Sequence, residues 1–421
     1  MPTATAPHNV EPIYCQGNVP SSSIYCFLSS FLFLVVKMVT AAVEASCVAE
    51  AEQEGVKDVF CMEGGHGETS YINNSQSRII QVVVHVLKET LDRIRFPREH
   101  PETLLTAADL GCSCGQNTVF VADVIVGHMT ELYAASSSSS SSNTTTPELC
   151  FYFSDLPSND FNTLFHLLPD TSSSGNGKYF RAGVPGSFYD RLFPARFIHA
   201  FTSTFSVHWL SQVPSQVLDK GSVAYNKGKV FVHGASEATG AAYERQFRSD
   251  LARFLRCRAA ELKPGGVVFL LCLGRPAAAG PTDQGRVRLL YGTLFEDSWA
   301  DLVGEGLVER EKMDSFNVPL YAPTLDEFRE VVEADGAFEI NRLEMVMGSP
   351  PVVDRPDDPA DVGRTVAKNV RSFIGKLVDA HVGKAVADEL FARLRRRAEE
   401  RAPELMEEMR LPHVVCSLSL A

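Results

Sequence analysis

The chain has 421 residues, of which 45% are hydrophobic and 22% charged, and its formal net charge is −13. That length and apolar content suffice for one large domain or two smaller ones. An acidic chain without a long basic run is a poor partner for nucleic acid or an anionic membrane. The ten cysteines lie singly apart from Cys112 and Cys114, with no CxxC pair. A zinc site or a disulfide framework is therefore not expected, and reduced thiols point to the cytoplasm.

Residues 1–56 read as an N-terminal extension. Ile24–Val36 is apolar but too short to span a bilayer as a helix. No Lys or Arg precedes it, as a signal peptide requires. The alternatives are a targeting segment, or a chain that starts at Met38 after an extension with no fold of its own. The folded part is expected from residue 57. Residues 75–94 carry apolar side chains at helical spacing and end in charges, so they predict a helix. "TLLTAADLG" predicts a buried strand and "NTVFVADVIVGHMTELY" the helix after it. Residues 136–147, "SSSSSSSNTTTP", are polar and of low complexity, an insertion that cannot bury surface. "LCFYFSDLP" predicts a second strand ending in Asp155, and "FIHAFTSTFSVHWL" a third. "FRSDLARFLRCRAAELKPGGVVFLLCLGR" predicts a helix, a Pro-Gly-Gly turn and a strand. Strands alternating with helices imply an α/β fold with a mostly parallel sheet covered on both faces. Residues 57–280 form this core. Residues 281–421 are mostly helical and amphipathic, a cap over the strand ends, with "LPHVVCSLSLA" returning as a strand.

The most informative stretch is "AADLGCSCGQNT", Ala107 to Thr118. It is a strand end, a tight turn and a helix start. It lacks G-x-G-x-x-G and any Walker lysine, so it offers no cradle for a dinucleotide or triphosphate. Asp109, Gly111, Ser113 and Gly115 place an acid and then small residues at alternate positions, which lets a ligand without phosphates lie against the backbone. Asp109 falls at the carboxyl end of its strand, where open α/β sheets bind ligands. Asp155 ends the next strand, where an acid accepts hydrogen bonds from ribose hydroxyls. Two acids and no phosphate site suit an adenosyl ligand of net positive charge, S-adenosylmethionine.

Several further blocks resemble the plant SABATH carboxyl methyltransferases. "MEGGHGETSYINNSQ" is similar to the family's N-terminal M-x-G-G-x-G-x-x-S-Y-x-x-N-S, and "ADLGCSCGQNT" to its A-D-L-G-C-S-S-G-x-N-T. "SDLPSNDFNTLF", "GVPGSFYDRLFPAR", "SVHWLSQVP", "YNKGKVFV" and "DSFNVPLYAPT" follow in the family's order. The resemblance runs from about Phe60 to the C-terminus. "GPTDQG", "LLYGTLFEDSWADLVGEGLVEREK" and "YINNSQ" are most similar to the members that methylate indole-3-acetic acid. The resemblance implies a Rossmann-like class I methyltransferase sheet with a largely helical cap, and S-adenosylmethionine-dependent esterification of a small hydrophobic carboxylic acid. Indole-3-acetate leads. The alternatives are another acid (salicylate, benzoate, jasmonate, gibberellin or farnesoate) or a paralogue that binds a ligand without turnover.

The same resemblance assigns Tyr71, Ser75, Asp109, Cys112, Asn117, Asp155, Leu156, Ser187 and Phe188 to the cofactor. It assigns Tyr71, Arg78, Phe205, His208 and Trp209 to the substrate. Tyr71, Ser75 and Arg78 fall at i, i+4 and i+7, on one side of a helix. "PGSFY" by itself would leave Phe188 in the core. An indole N–H can hold a carboxylate oxygen while its ring walls an aromatic pocket. A carboxylic acid of pKa ~4 is already ionised at neutral pH, so no general base is needed. His208 and Trp209 are expected to position the substrate, and no residue is assigned to proton transfer. Magnesium is implied by the resemblance alone, near Asn226, Asp314, the Phe316 carbonyl and Asn317. These offer oxygen ligands that suit a hard cation, but the same stretch also reads as a turn fixed by Asp and Asn side chains. The family's homodimer is neither supported nor opposed by the composition. Three positions depart from the pattern: Glu63 stands where Lys is common, Arg78 where Gln is common, and Cys114 makes a small change from Ser. A carboxylate at Glu63 would repel an acid substrate, whereas Arg78 could bind it or pair with Glu63.

Overall fold

The computed structural model describes residues 61–74, 79–97, 102–137, 147–168 and 179–421. The N-terminal extension, most of the serine tract, Ser75 and Arg78 lie outside them. In chain order the first elements are α1 (Tyr71–Asn74), α2 (Ile79–Leu91), β1 (Leu104–Leu110), α3 (Gln116–Ser137), β2 (Glu148–Asp155), α4 (Phe161–Leu167), β3 (Phe180–Pro185) and β4 (Ile198–Thr204). They are followed by α5 (Ser215–Leu218), α6 (Glu237–Glu261), β5 (Leu262–Leu273), a π-helical stretch (Leu289–Phe295), α7 (Glu296–Gly304), α8 (Arg310–Asp314) and α9 (Leu325–Asp335). The chain ends with β6 (Phe338–Met347), α10 (Pro359–Val382), α11 (Lys384–Glu400), α12 (Ala402–Glu408) and β7 (Pro412–Leu420).

The strands form one sheet of order β3-β2-β1-β4-β5-β7-β6. β1 to β5 pair in parallel, and β7 runs antiparallel between β5 and β6. Alternate residues feed opposite faces, as the two-residue period of a strand demands. Ala107, Phe151 and Phe269 join a core with α2 and α3. Ala108, Phe201 and Leu270 join the core on the other face, with α6 and the helices of the C-terminal half. This double burial explains why β1, β4 and β5 read as unbroken apolar runs. α3 is long and apolar enough to cross a membrane, yet Val121, Ala122, Ile125 and Met129 are buried in the core beneath it.

Three features depart from the sequence reading. The Pro-Gly-Gly segment is not a turn outside β5 but a bulge within it: the partner of Ile198 is Leu262, and that of Ala200 is already Val267. β3 and β6 were not anticipated, and β6 lies in the half expected to be a helical cap. The two are the edges of the sheet. Each carries exposed or half-exposed positions along most of its length, so neither has the apolar run of a central strand.

The strand order reverses between β1 and β4, and such switch points open a crevice at the carboxyl ends of the strands. Its rim is fixed by a buried ion pair. Arg258 and Glu261, in the last turn of α6, are both fully buried. Arg258 donates from Nη1 to the Phe188 carbonyl (2.6 Å), from Nη2 to the Asp190 carbonyl (2.9 Å) and from Nε to Glu261 (2.8 Å). Glu261 Oε1 accepts from the Leu192 and Phe193 amides. Removing Arg258 leaves the buried Glu261 with its two amides and only the half-exposed Arg191 guanidinium, 3.3 Å away, which costs up to about 3–5 kcal/mol. Arg258→Ala is therefore expected to lower unfolding free energy by that amount in urea titration. A change within about 1 kcal/mol would show that the rim does not depend on the pair.

Candidate active site

The turn after β1 is stitched to the end of β2. The Gly111 and Cys112 amides donate to the Ser154 carbonyl at 2.8 and 3.0 Å. Asp155 Oδ2 accepts from the Ser113 amide and Oδ1 from the Leu156 amide, both at 2.7 Å. The Asp155 carbonyl accepts from Gly186, which draws in the loop bearing Ser187 and Phe188. Gly111 has φ +76°, and a Cβ there would lie 2.2 Å from Ser206 Oγ. Ser113 takes a positive φ of 52° as well. The turn thus lies flat against the residues that follow β4, as its small residues predicted.

Two cavities open at this crevice. The larger, about 400 Å³, is lined by Gly111, Ser113, Asp155, Leu156, Ser187 and Phe188 among others. The smaller, about 220 Å³, is bordered by His208, Leu290, Tyr291, Phe373, Leu411 and His413, with Asn117 at its edge. Met62, Tyr71, Phe205 and Trp209 border both, so the cavities meet at these four residues. Phe205 stands at the junction in a left-handed conformation (φ +63°), the kind of backbone strain that collects at functional sites.

The expected cofactor residues divide. Tyr71, Asp155, Leu156, Ser187 and Phe188 line the larger cavity. Asn117 lines the smaller one. Asp109 and Cys112 line neither. Asp109, only 1% exposed, turns toward α3, where its Oδ2 accepts from Thr118 Oγ1 at 2.5 Å, while Oδ1 has no partner at full hydrogen-bond geometry among the described residues. Burial pushes the Asp109 carboxyl up to about 7, with the neighbouring Asp155 charge adding and the Thr118 bond opposing. Burial also raises Asp155, to about 6. Cys112 is packed in the core beside the turn. The expected substrate residues Tyr71, Phe205, His208 and Trp209 all reach the smaller cavity.

Among the described residues, no Lys, Arg, Asp or Glu lines that smaller cavity. His208 is 3% exposed, and its Nδ1 accepts from the Leu273 amide at 3.3 Å. That bond assigns the ring proton to Nε2. Burial, with His413 adding, pushes the His208 pKa down to about 3. His208 is therefore a neutral donor at physiological pH. Glu63 borders neither cavity. Its Oε1 accepts from Thr69 Oγ1 at 2.8 Å, and its Oε2 lies 4.0 Å from Arg371 Nε on α10. The Glu63 carboxylate is therefore directed away from both cavities.

The residues expected near magnesium also cluster, and several of their polar atoms are already engaged. Asn226 Nδ2 donates to Asn317 Oδ1 (2.6 Å), and Asp314 accepts from the Gly228 amide (2.8 Å) and the Tyr225 hydroxyl (3.4 Å). Phe316 stacks on Trp299. Among the described residues, no group of three or more His, Cys, Asp or Glu side chains is placed to hold a metal ion. One carboxylate with protein donors on both oxygens fits a locked turn better than a cation cradle.

Sequence reasoning did not find Met62, Leu290, Tyr291, Phe373, Leu411 or His413. Leu290 and Tyr291 lie in the π-helical stretch, a distortion that recurs at functional sites. Only the resemblance of "LLYGTLFEDSWADLVGEGLVEREK" to the indole-3-acetate-methylating members hinted at it. The others come from segments far apart in the chain.

The sheet with its switch-point crevice, and the adenosyl-compatible turn beside an uncharged second cavity, define a class I methyltransferase. A family model described as SAM dependent carboxyl methyltransferase matches residues 57–421, and the chain belongs to that family, with S-adenosylmethionine as methyl donor. It is 53% identical over 399 residues to indole-3-acetate O-methyltransferase 1 of Oryza sativa subsp. japonica, covering 90% of this chain and 97% of that protein. It is 50% identical to indole-3-acetate O-methyltransferase 1 of Arabidopsis thaliana, covering 86% and 95%. Among solved structures, loganic acid methyltransferase with SAH superposes with a TM-score of 0.75 at 32% identity, covering 85% of this chain and 98% of that one.

The raised carboxyl of Asp109 carries a sign that can be measured. A folded-state pKa of about 7 against an ordinary value of 3.8 means that the native state holds this proton more tightly than the unfolded chain. Its contribution to stability is complete below pH 4 and is lost as pH rises to about 7. Asp109→Asn removes this loss. The ligand-free variant is expected to gain on the wild type by roughly 4 kcal/mol between pH 4 and 8, at about 1.4 kcal/mol per unit. Paired urea titrations across that range check it, and a pH-independent difference would contradict it.

Proposed function

We propose that this methyltransferase esterifies indole-3-acetate. The observation that carries the reading is the meeting, at Met62, Tyr71, Phe205 and Trp209, of an adenosyl-sized cavity with an aromatic-lined one that bears no Lys, Arg, Asp or Glu among the described residues. The identities to the two indole-3-acetate O-methyltransferases exceed the 37% identity to gibberellic acid methyltransferase 2 of Arabidopsis thaliana. The turn of Glu63 toward Thr69 and Arg371 keeps its carboxylate off both cavities, which supports a catalytic reading over a silent paralogue.

In this reading Asp155 accepts hydrogen bonds from the ribose hydroxyls, its remaining lone pairs being free of the two amides it already serves. Leu156, Ser187 and Phe188 wall the adenosine. Gly111 and Ser113 bring the backbone close to the amino-acid part. Bound S-adenosylmethionine supplies a methyl carbon on a positively charged sulfur. The Trp209 indole and the His208 Nε2–H hold the carboxylate as neutral donors. Tyr71, Phe205 and Met62 confine the reacting oxygen at the junction and exclude water. One carboxylate oxygen forms the new C–O bond as the methyl–sulfur bond breaks, giving the methyl ester and S-adenosylhomocysteine, with no proton moved. The chain's contribution is alignment and desolvation.

Incubation with labelled S-adenosylmethionine and a panel of acids tests this. Indole-3-acetate is expected to have the highest kcat/KM, at least about tenfold above gibberellin, jasmonate and salicylate, a margin of about 1.4 kcal/mol in transition-state binding. Preference for another acid, or no transfer at all, would overturn it. Because His208 stays neutral, kcat should show no ionisation near 6.5, and a bell centred there would return His208 to proton transfer. Trp209→Phe keeps the ring and deletes the donor. Loss of one hydrogen bond to a charged group should raise KM for the acid by roughly 10- to 100-fold, as steady-state kinetics would read.

A further inference from the structure

His413 opens a second question in the substrate cavity. It sits on β7 between Leu273 of β5 and Val346 of β6, at a register position where an aliphatic residue would complete the sheet. It is 6% exposed and borders the cavity; the Leu411 carbonyl engages its ring, while the enclosed Nδ1 has no partner at full hydrogen-bond geometry among the described residues. A buried polar ring so weakly paired costs up to about 1–3 kcal/mol, and such groups call for an explanation in terms of function.

The surroundings are built to keep the ring in place. Phe205 meets it edge-on, with ring centroids 5.6 Å apart and planes at 80°. Gly348 makes room behind it: a Cβ there would lie 3.1 Å from His413 Cε1 and 3.4 Å from Nδ1. Burial lowers its pKa to about 4, so the ring is neutral and each nitrogen offers either a proton or a lone pair. The two imidazoles of this wall are close neighbours: Leu273 gives its amide to His208 and pairs with His413 across the strands. His208 is committed as a donor, which suits the carboxylate. A neutral acceptor on this wall complements His208 for a polar substrate ring, beside the amide and hydroxyl groups of Asn117, Asn369 and Ser349 elsewhere on the lining.

We propose that His413 is a specificity-determining residue that accepts a hydrogen bond from the ring N–H of a heteroaromatic acid. It selects indole-3-acetate over carboxylic acids of the same shape that lack that donor. The inference rests on the esterification of indole-3-acetate proposed above.

The probe is benzofuran-3-acetate, in which oxygen replaces the ring N–H with little change of shape. The wild type is expected to favour indole-3-acetate by at least tenfold in kcat/KM. His413→Leu should bring the ratio to within about twofold, through a higher KM for indole-3-acetate and an unchanged KM for S-adenosylmethionine. His413→Gln, which keeps an acceptor, should restore part of the preference. A wild type that treats the two acids alike overturns the proposal without any variant, so it stays testable if His413→Leu fails to fold. Equal loss on both acids also overturns it, assigning His413 to the carboxylate or to packing. Absence of any ester from indole-3-acetate removes the reading beneath the proposal and the proposal with it. An ester formed with no selectivity removes only the role of His413.

Discussion

The carboxylate of Asp155 is the joint on which the site depends. One oxygen holds the Ser113 amide, the other the Leu156 amide, and the residue's carbonyl holds Gly186. Three segments that border the larger cavity are thereby tied to the end of one strand. The arrangement works only because Gly111 lacks a side chain, since the space of its Cβ belongs to Ser206. Hydrogen bonds to a carboxylate are stronger than neutral ones, and these are made before any ligand arrives. The turn is therefore preorganised, and a nucleoside meets a finished wall.

The second principle is neutrality. A carboxylate could be gripped by arginine, but the described wall of the substrate cavity offers indole and imidazole instead. Neutral donors orient an anion without stabilising its charge as strongly as a cation does. Attack on a positively charged methyl donor cancels both charges, so a wall that leaves the anion under-compensated favours the step that removes it. The Leu273 amide enforces this choice at His208, because the bond to Nδ1 leaves the ring neutral with its proton on Nε2. A single backbone group thus decides what kind of chemistry the imidazole can perform.

Much of this was legible in the residue order. β1, β2, β4 and the main helices followed from long apolar runs and helical spacing, and Asp155 from its place at a strand end. The turn after β1 spoke against phosphates because it lacks the needed glycines and lysine. What escaped the reading has physical causes. β3 and β6 are edge strands, half in water, and carry mixed sequences. The Pro-Gly-Gly bulge looks like a turn because locally it is one, and only pairing with β4 absorbs it into a strand. Asp109 reads as a ligand-facing acid, but its side chain turns toward Thr118 rather than the crevice. Met62, Tyr291, Phe373 and His413 approach from distant segments, and no local pattern records that they share a cavity.

The uncharged wall has a consequence for how the two ligands use the protein. An anion entering that cavity alone gives up its hydration shell and finds no fixed cation among the described lining residues. Among the described groups, the charge that can compensate it is the sulfonium of the bound donor, so a loaded donor favours the acid's entry. Once the methyl has moved, neither the ester nor the thioether carries the charge that drew the pair together, and each leaves unassisted. A cavity walled in this way couples the acid to the donor through electrostatics alone, with no hinge or lid in the chemistry of the step.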